Sequence, residues 1–201
     1  EADLRLGMVV RIDGEFDANG TTGTAASVVF DDSLEGPIEA DPVETTPGGP
    51  EKTFTVLGRS VRMNLLDTAF DDGASFAGLV ADDVVEVSGF IDNLGTIQAT
   101  RIQRKGQFPG NSEVELRETV SNLVKNPNGS GDFDLGTIMV HYLASTSFFD
   151  LTRASLANGD FVETKGSLRI TGNEIDANEI EMESAGLGGG SANEAEIEGF
   201  V

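Results

Sequence analysis

His141, in the stretch IMVHYL, is the one histidine in 201 residues, and the chain has no cysteine. Nucleophilic catalysis needs a base oriented by neighbours, and a zinc site needs several nitrogen or sulfur ligands. With neither a second histidine nor a thiol to join it, His141 beside Tyr142 is expected in a strand, packed or on its surface, without a catalytic part. Glycoside hydrolysis needs only two carboxylates. The chain has 35 Asp and Glu, so abundance singles out no pair. It has no Trp and one Tyr, which removes the aromatic platforms common in sugar sites. No G-x-S-x-G, P-loop or H-E-x-x-H occurs. DGEFDANG (Asp13–Gly20) and NPNGSGDFD (Asn126–Asp134) offer oxygen ligands near glycine. Neither has the twelve-residue calcium spacing with its terminal bidentate Glu, and turn chemistry uses the same residues. No catalytic, cofactor-binding or metal-ligating residue is therefore assigned. No cofactor is expected, and the chain is expected not to be an enzyme.

Charge narrows the classes further. Asp and Glu number 35 against 13 Lys and Arg, a formal net charge of −22. Such a field repels phosphate backbones and anionic lipid headgroups. No nucleic-acid partner is expected, and stacking on single strands would also need more aromatic residues in a basic groove. There is no apolar run of about 18 residues, so no membrane insertion is expected in this segment. The chain opens on Glu1 without a signal peptide and is expected to be a processed or trimmed piece of something longer. Eight basic residues, Lys52, Arg59, Arg62, Arg101, Arg104, Lys105, Arg117 and Lys125, cluster in or around one stretch. Ordinary surface variation and complementary contact between neighbouring units are the two readings of that cluster.

The elements that would position these residues recur. Leu4, Leu79 and Leu156 each stand ten residues before Gly14, Gly89 and Gly166. Between them VVRID, VVEVS and FVETK alternate as short strands, with Arg11, Glu86 and Glu163 on the face opposite the apolar residues. Turns rich in Asn, Asp and Gly follow. Then come Ala25 to Val28, Ala99 to Ile102 and Ala177 to Ile180, a small-x-x-large step that breaks alternation. A bulge there would restore both ends to the inside. KTFTVLGRSVRMN (from Lys52) and GDFDLGTIMVHY (from Gly131) precede two of these hairpins. Each reads as two strands around a Leu-Gly turn, Leu57-Gly58 and Leu135-Gly136. Thr68-Ala69-Phe70 matches Thr146-Ser147-Phe148, and short helical segments are expected near 75–80 and 151–157. Opening strands stand at Leu34, Leu116 and Ile197, a period of about 80 residues.

The order of strand, hairpin, L-x-x-G-D-x-V-x-V-x-G and A-x-x-I resembles a bacterial domain-of-unknown-function family, number 5666. Phe54, Val56, Gly58, Val61, Leu79, Asp83, Val84, Val85, Val87, Gly89, Ala99 and Ile102 carry the resemblance. Leu156, Gly159, Asp160, Val162, Gly166, Ala177 and Ile180 carry it a second time, and Asp82 departs where Gly159 matches. The resemblance covers most of the chain and rests on apolar spacing and glycine. It implies small OB-type barrels in tandem, in exported or surface proteins, with no catalytic residues to carry over. Five or six short strands with one apolar face must in any case close or stack to bury it.

The expected fold is thus all-β, in tandem small OB-like β-barrels of about 80 residues per repeat. Residues 1–31 would form the second half of a first repeat, 34–105 a second, 114–183 a third, and 194–201 the first strand of a fourth. KGQFPGNS and SAGLGGGSAN read as linkers between units, and EADPVETTPGGPE as an exposed loop. The expected function is a non-enzymatic structural repeat module of an extracellular or cell-surface assembly, with filament formation as one outcome. The alternative is a surface module binding a cation, glycan or partner protein. Expected partners are other repeats or copies of the chain, by strand exchange through 194–201.

Overall fold

The computed structural model describes residues 4–17, 21–30, 34–109, 113–183 and 195–200. Every regular element among them is a strand: β1 (Val9–Phe16), β2 (Gly23–Phe30), β3 (Leu34–Pro37), β4 (Val43–Glu44), β5 (Glu51–Val56), β6 (Arg59–Asn64), β7 (Ala69–Asp71), β8 (Asp83–Ile91), β9 (Ile97–Gln107), β10 (Glu113–Lys125), β11 (Gly131–Leu135), β12 (Ile138–Phe149), β13 (Phe161–Leu168), β14 (Glu174–Met182) and β15 (Ala195–Phe200). The all-β expectation holds. No helix among the described residues is long and apolar enough to cross a membrane.

The expected helical segments are turns. Leu79 N–H donates to the Ser75 carbonyl at 3.3 Å and Leu156 N–H to the Thr152 carbonyl at 3.0 Å, and no helix develops from either. One closed turn of six or seven residues does not repay helix nucleation. The turns instead deliver Leu79 and Leu156 into the core, where both are buried.

Strand pairing runs through two cycles. In the first, β3 pairs antiparallel with β8, β8 with β9, β9 parallel with β6, and β6 antiparallel with β5. An isolated bridge between Ile38 and Val56 leads back to the β3 end. In the second, β10 pairs with β13, β13 with β14, β14 parallel with β12, β12 with β11, and β11 with β10 again. The cycles are joined rather than separate. β3 and β10 pair antiparallel, with Leu34 opposite Leu116 and Glu35 opposite Glu115, so one twelve-stranded sheet contains both. The Arg59–Glu118 ion pair also links the cycles. A second, three-stranded sheet has the order β15–β1–β2.

The small-x-x-large steps coincide with bulges in all three hairpins. The register shifts at Asp13/Gly14, Ser88/Gly89 and Lys165/Gly166, leaving Ala26, Thr100 and Asn178 unpaired on the facing strands. A Cβ at Gly14, Gly89 or Gly166 would strike the carbonyl oxygen of Thr24, Gln98 or Asp176. Close approach of two backbones is therefore what requires glycine here. The bulge is finished by a threonine in each cycle. Thr68 Oγ1 donates to the Ala99 carbonyl at 2.7 Å, and Thr146 Oγ1 to the Ala177 carbonyl at 2.8 Å. Ala99 with Ile102, and Ala177 with Ile180, are buried as expected, whereas Ala25 and Val28 on β2 are exposed.

Two further expectations are corrected. In the first cycle the hairpin turn is Leu57-Gly58, both with positive φ, 48° and 73°. In the second it is Gly136-Thr137, because Leu135 pairs with Ile138 and stays in the strand. Leu135 is an inward residue like Val56, so the turn moves along by one to keep that face apolar. Lys105–Gln107 of KGQFPGNS belong to β9, since Asp83 pairs with Gln107, and β10 begins at Glu113. SAGLGGGSAN lies outside the described residues, as does most of the Asp17–Gly20 turn.

Candidate functional site

Alternation puts Val85 and Val87 in the core and turns Glu86 to the other face of β8. That face is not open to solvent. Arg101, 1% exposed, crosses it from β9 and donates from Nη1 to Glu86 at 3.2 Å and from Nη2 to Asp71 at 2.9 Å. Lys105 Nζ adds a 2.7 Å bond to the other Glu86 oxygen. Arg104 meets the buried Asp83 carboxylate at 2.6 Å. In the second cycle Glu163 takes the place of Glu86, three residues before the bulge glycine, and it too is buried. Arg117 Nε reaches it at 2.6 Å and Lys165 Nζ at 2.9 Å, with Lys165 also 3.0 Å from Glu115. Burial alone would raise the Glu163 carboxyl, yet the Arg117 guanidinium and the Lys165 ammonium hold it below the ordinary carboxylate range. Burial pulls the other way on Lys165, and Glu163 and Glu115 override it, pushing that ammonium upward. Glu181, directly across from Glu163, is raised by its own burial and by the like charges of Glu163, Asp150 and Glu179.

His141 has partners that sequence spacing did not reveal. It lies on β12 between Val140 and Tyr142, both of which face the core. Asp132 stands directly across on β11 and Asp176 directly across on β14. Nδ1 lies 2.5 Å from Asp132 Oδ1 and Nε2 lies 2.9 Å from Glu174 Oε2. A neutral ring carries one N–H and can donate to one of these carboxylates; an imidazolium donates to both. Arg169 completes the group, bonding Glu174 and both Asp176 oxygens. The His141 hydrogen bond, opposed by desolvation and aided by Arg169, holds the Glu174 carboxyl below its ordinary value. The Asp176 carboxyl is held down chiefly by Arg169. The two ring nitrogens point to opposite sides, so the carboxylates flank the ring without converging on one point. Among the described residues no group of three or more His, Asp or Glu could hold a metal ion. In NPNGSGDFD the oxygens serve the turn: Asn128 Oδ1 accepts from Ser130, Asp132 faces His141, and Asp134 accepts from Asn122.

The third candidate is a cleft. On the β15–β1–β2 sheet an open cavity of about 350 Å³ is lined by residues including Ile12, Gly14, Phe16, Thr24 and Ala25. Phe16 and Val28 are 57% and 45% exposed. The sequence pattern marked Val28 as an inward position but could not tell that it would be exposed.

A family model described as "Domain of unknown function (DUF5666)" matches residues 35–103 and again 120–181. The chain belongs to this family. Each DUF5666 match lies within one pairing cycle, and both contain the buried carboxylate, the bulge glycine and the bulge-capping threonine. The bulge-capping residues are therefore part of the repeated unit, whereas His141 occurs in one copy alone. No curated protein matches the chain. Among solved structures, "drosophila Unr CSD456" aligns at 13% identity over 91% of this chain and 79% of that chain, with a TM-score of 0.29. That score does not establish a shared fold.

Proposed function

We propose that this DUF5666 chain is a non-enzymatic structural repeat module of an extracellular or cell-surface assembly, held to its neighbours by exchange of opening strands. The finer fold reading belongs with it: each pairing cycle is a small OB-like barrel, in which the first strand lies beside the fourth and the third runs parallel to the fifth. The observation that carries the proposal is a shared register. Leu34 pairs with Val87, Leu116 with Thr164 and Ile197 with Ile12, and each partner stands two residues before a bulge glycine. In the first two pairs an opening strand completes the hairpin of its own unit; in the third, β15 takes the same register on the hairpin of a unit far away in sequence. Pairing of this kind works equally well between copies, and when it is heterologous it builds open assemblies. The acidic surface fits exported surroundings, and the pairing of the buried Glu86 and Glu163 with cations on neighbouring strands supports a structural reading.

A second reading, a surface binding module for a cation, glycan or partner protein, draws support from the exposed Phe16 and Val28 beside the cleft. Sedimentation of the full chain and of a chain lacking 194–201 separates the two. Strand exchange gives concentration-dependent high-mass species that vanish with the deletion. A monodisperse monomer before and after the deletion would exclude it.

A further inference from the structure

The two cycles meet through equivalent residues. Leu34 and Leu116 hold the same place in their units, since their partners Val87 and Thr164 each stand two residues before a bulge glycine. The correspondence continues to Ile38 and Val120. Ile38 N–H donates to the Asp83 carbonyl at 2.9 Å, and Val120 N–H to the Asp160 carbonyl at 2.8 Å. Where β3 pairs antiparallel with β10, Leu34 stands opposite Leu116, each against its own counterpart. A pairing in that register is symmetric about a two-fold axis through those two residues. A second contact obeys the same axis. β5 ends at Val56 and β11 at Leu135, and Gly58 and Thr137 each stand two residues beyond. A Cβ at Gly58 would lie 3.6 Å from the Cβ of Thr137, so equivalent turn residues touch as well. Head-to-tail stacking brings unlike surfaces together, whereas here like meets like at two separate places.

From this we infer that the opening strand and the first hairpin turn of each cycle form a two-fold self-recognition surface. Its partner is the same surface of another DUF5666 repeat: the sister cycle in this chain, and a cycle of a second copy where the connection between sisters cannot fold back. Repeats joined in this way act as closed pairs. The pairing is separate from exchange through 194–201, which uses β15 and β1. Backbone groups of β3 and β10 supply the contact, and the Arg59–Glu118 ion pair selects the partner. Arg59 corresponds to Ile138, since each opens the second strand of its hairpin, and Glu118 corresponds to Gly36. Two copies of one cycle would therefore set Arg59 against Gly36 or Ile138 against Glu118, and the unlike pair is favoured.

The chain has no cysteine, so an introduced pair reports the contact. In Gly58→Cys/Thr137→Cys the two Cβ atoms stand at a disulfide distance, and mild oxidation should link them within the chain in nearly every molecule. Removing residues 110–112 from that double variant should turn the link into one between two copies. β10 lies three strands from β9, across β8 and β3, or about 14 Å along the sheet. The six Cα steps from Gln107 to Glu113 span that distance, whereas the three left by the deletion reach only about 10 Å. Each cycle must then take its partner from a second chain, and a covalent dimer is expected. Should the shortened chain misfold, Gly58→Cys and Thr137→Cys chains refolded as a concentrated mixture should give a linked dimer containing one of each, which neither gives alone. All of these links should survive deletion of 194–201. Free thiols in the oxidised double variant, a folded shortened chain that stays monomeric, or a mixture that links no better than its components would each overturn the inference. So would a link that disappears with 194–201, which would assign the contact to strand exchange.

Discussion

Glu86 and Glu163 occupy the same place in two copies of one unit, and each draws its cations from different strands. In the first cycle Glu35 on β3 and Gln103 on β9 lie across from Glu86 on β8, and Arg101 reaches it diagonally from β9; in the second Arg117 on β10 and Glu181 on β14 lie across from Glu163 on β13. The buried acid is common to both, while the arginine has moved from the fifth strand to the first. Since Glu35 and Glu115 face each other where the cycles join, one carboxylate there meets Lys105 and the other Lys165. What the unit requires is a cation against the buried acid, not a particular residue in each place. A buried acid without a cation would cost several kcal/mol, and alternative sources of the cation are equivalent so long as it arrives.

The backbone requirement common to both cycles should dominate every effect of charge. Gly89→Ala and Gly166→Ala each drive a methyl group into a backbone carbonyl that cannot turn aside, because Ala99 and Ala177 next to it are pinned by Thr68 and Thr146. Each is expected to lose about 3 kcal/mol, the upper range for overpacking, read from urea denaturation. Equal losses would confirm that the two bulges do the same work. A neutral Gly→Ala at either position would break the equivalence.

The charge rows come next and should separate the cycles. Arg101 is almost fully buried and is the shared partner of Glu86 and Asp71, whereas Arg117 is 19% exposed and Lys165 stays with Glu163 when it goes. Arg101→Met is expected to cost about 3 kcal/mol, as for a broken buried pair. Arg117→Met should cost about half as much, because Arg117 is partly exposed and serves no second strand's carboxylate as closely as Arg101 serves Asp71, while each glutamate keeps its lysine. Replacing Glu86 by Gln in the Arg101→Met chain should recover part of the loss. If the double variant is no more stable than Arg101→Met, the buried carboxylate was not the source of the cost.

How far the sequence could be read follows the range of the interaction. The bulges were legible because the signal is local: Ala99 and Ile102 are three apart and must both face inward. The opening strands were legible because the repeat sets Leu34 beside Leu116 and Ile197. The Leu135-Gly136 turn misled because a Leu-Gly pair occurs at both hairpins, while inward facing decides which residues bend. The six-residue stretches before Leu79 and Leu156 carried helix-like composition, yet a single turn was enough to bring one leucine to the core. The partners of His141 were out of reach. Asp132 and Glu174 are 9 and 33 residues away, and strand pairing alone brings them together. An acidic background hides such pairs, since every strand offers carboxylates and register selects among them. The open face of β2 was equally hidden, because Ala25 and Val28 have the letters of a core.

The smallest effect belongs to the site the cycles do not share. Where the second cycle has His141 facing Asp132 and Asp176, the first has Arg62 facing Thr53 and Gln98. Around His141 the Glu174 and Asp176 carboxyls are both held below their ordinary values. The Glu174 carboxyl is held below its ordinary value of 4.5 by His141 and Arg169. A carboxylate depressed on folding contributes stability that is present above its unfolded value and lost as pH falls through the folded one. His141→Asn removes the first of those two partners, so the variant should melt below the parent at pH 6 and the gap should close on acidification below about pH 4.5. The pair is partly exposed to solvent, so a shift in Tm of about 2–4 °C at most is expected. Asn keeps a polar side chain but is too short to span both carboxylates, which leaves the loss of the bond to Glu174 as the main change. A gap that widens as the pH falls, or one that is flat from pH 6 to 3, would show that His141 does not hold Glu174 in its ionised form and would make the two cycles alike in their response to acid.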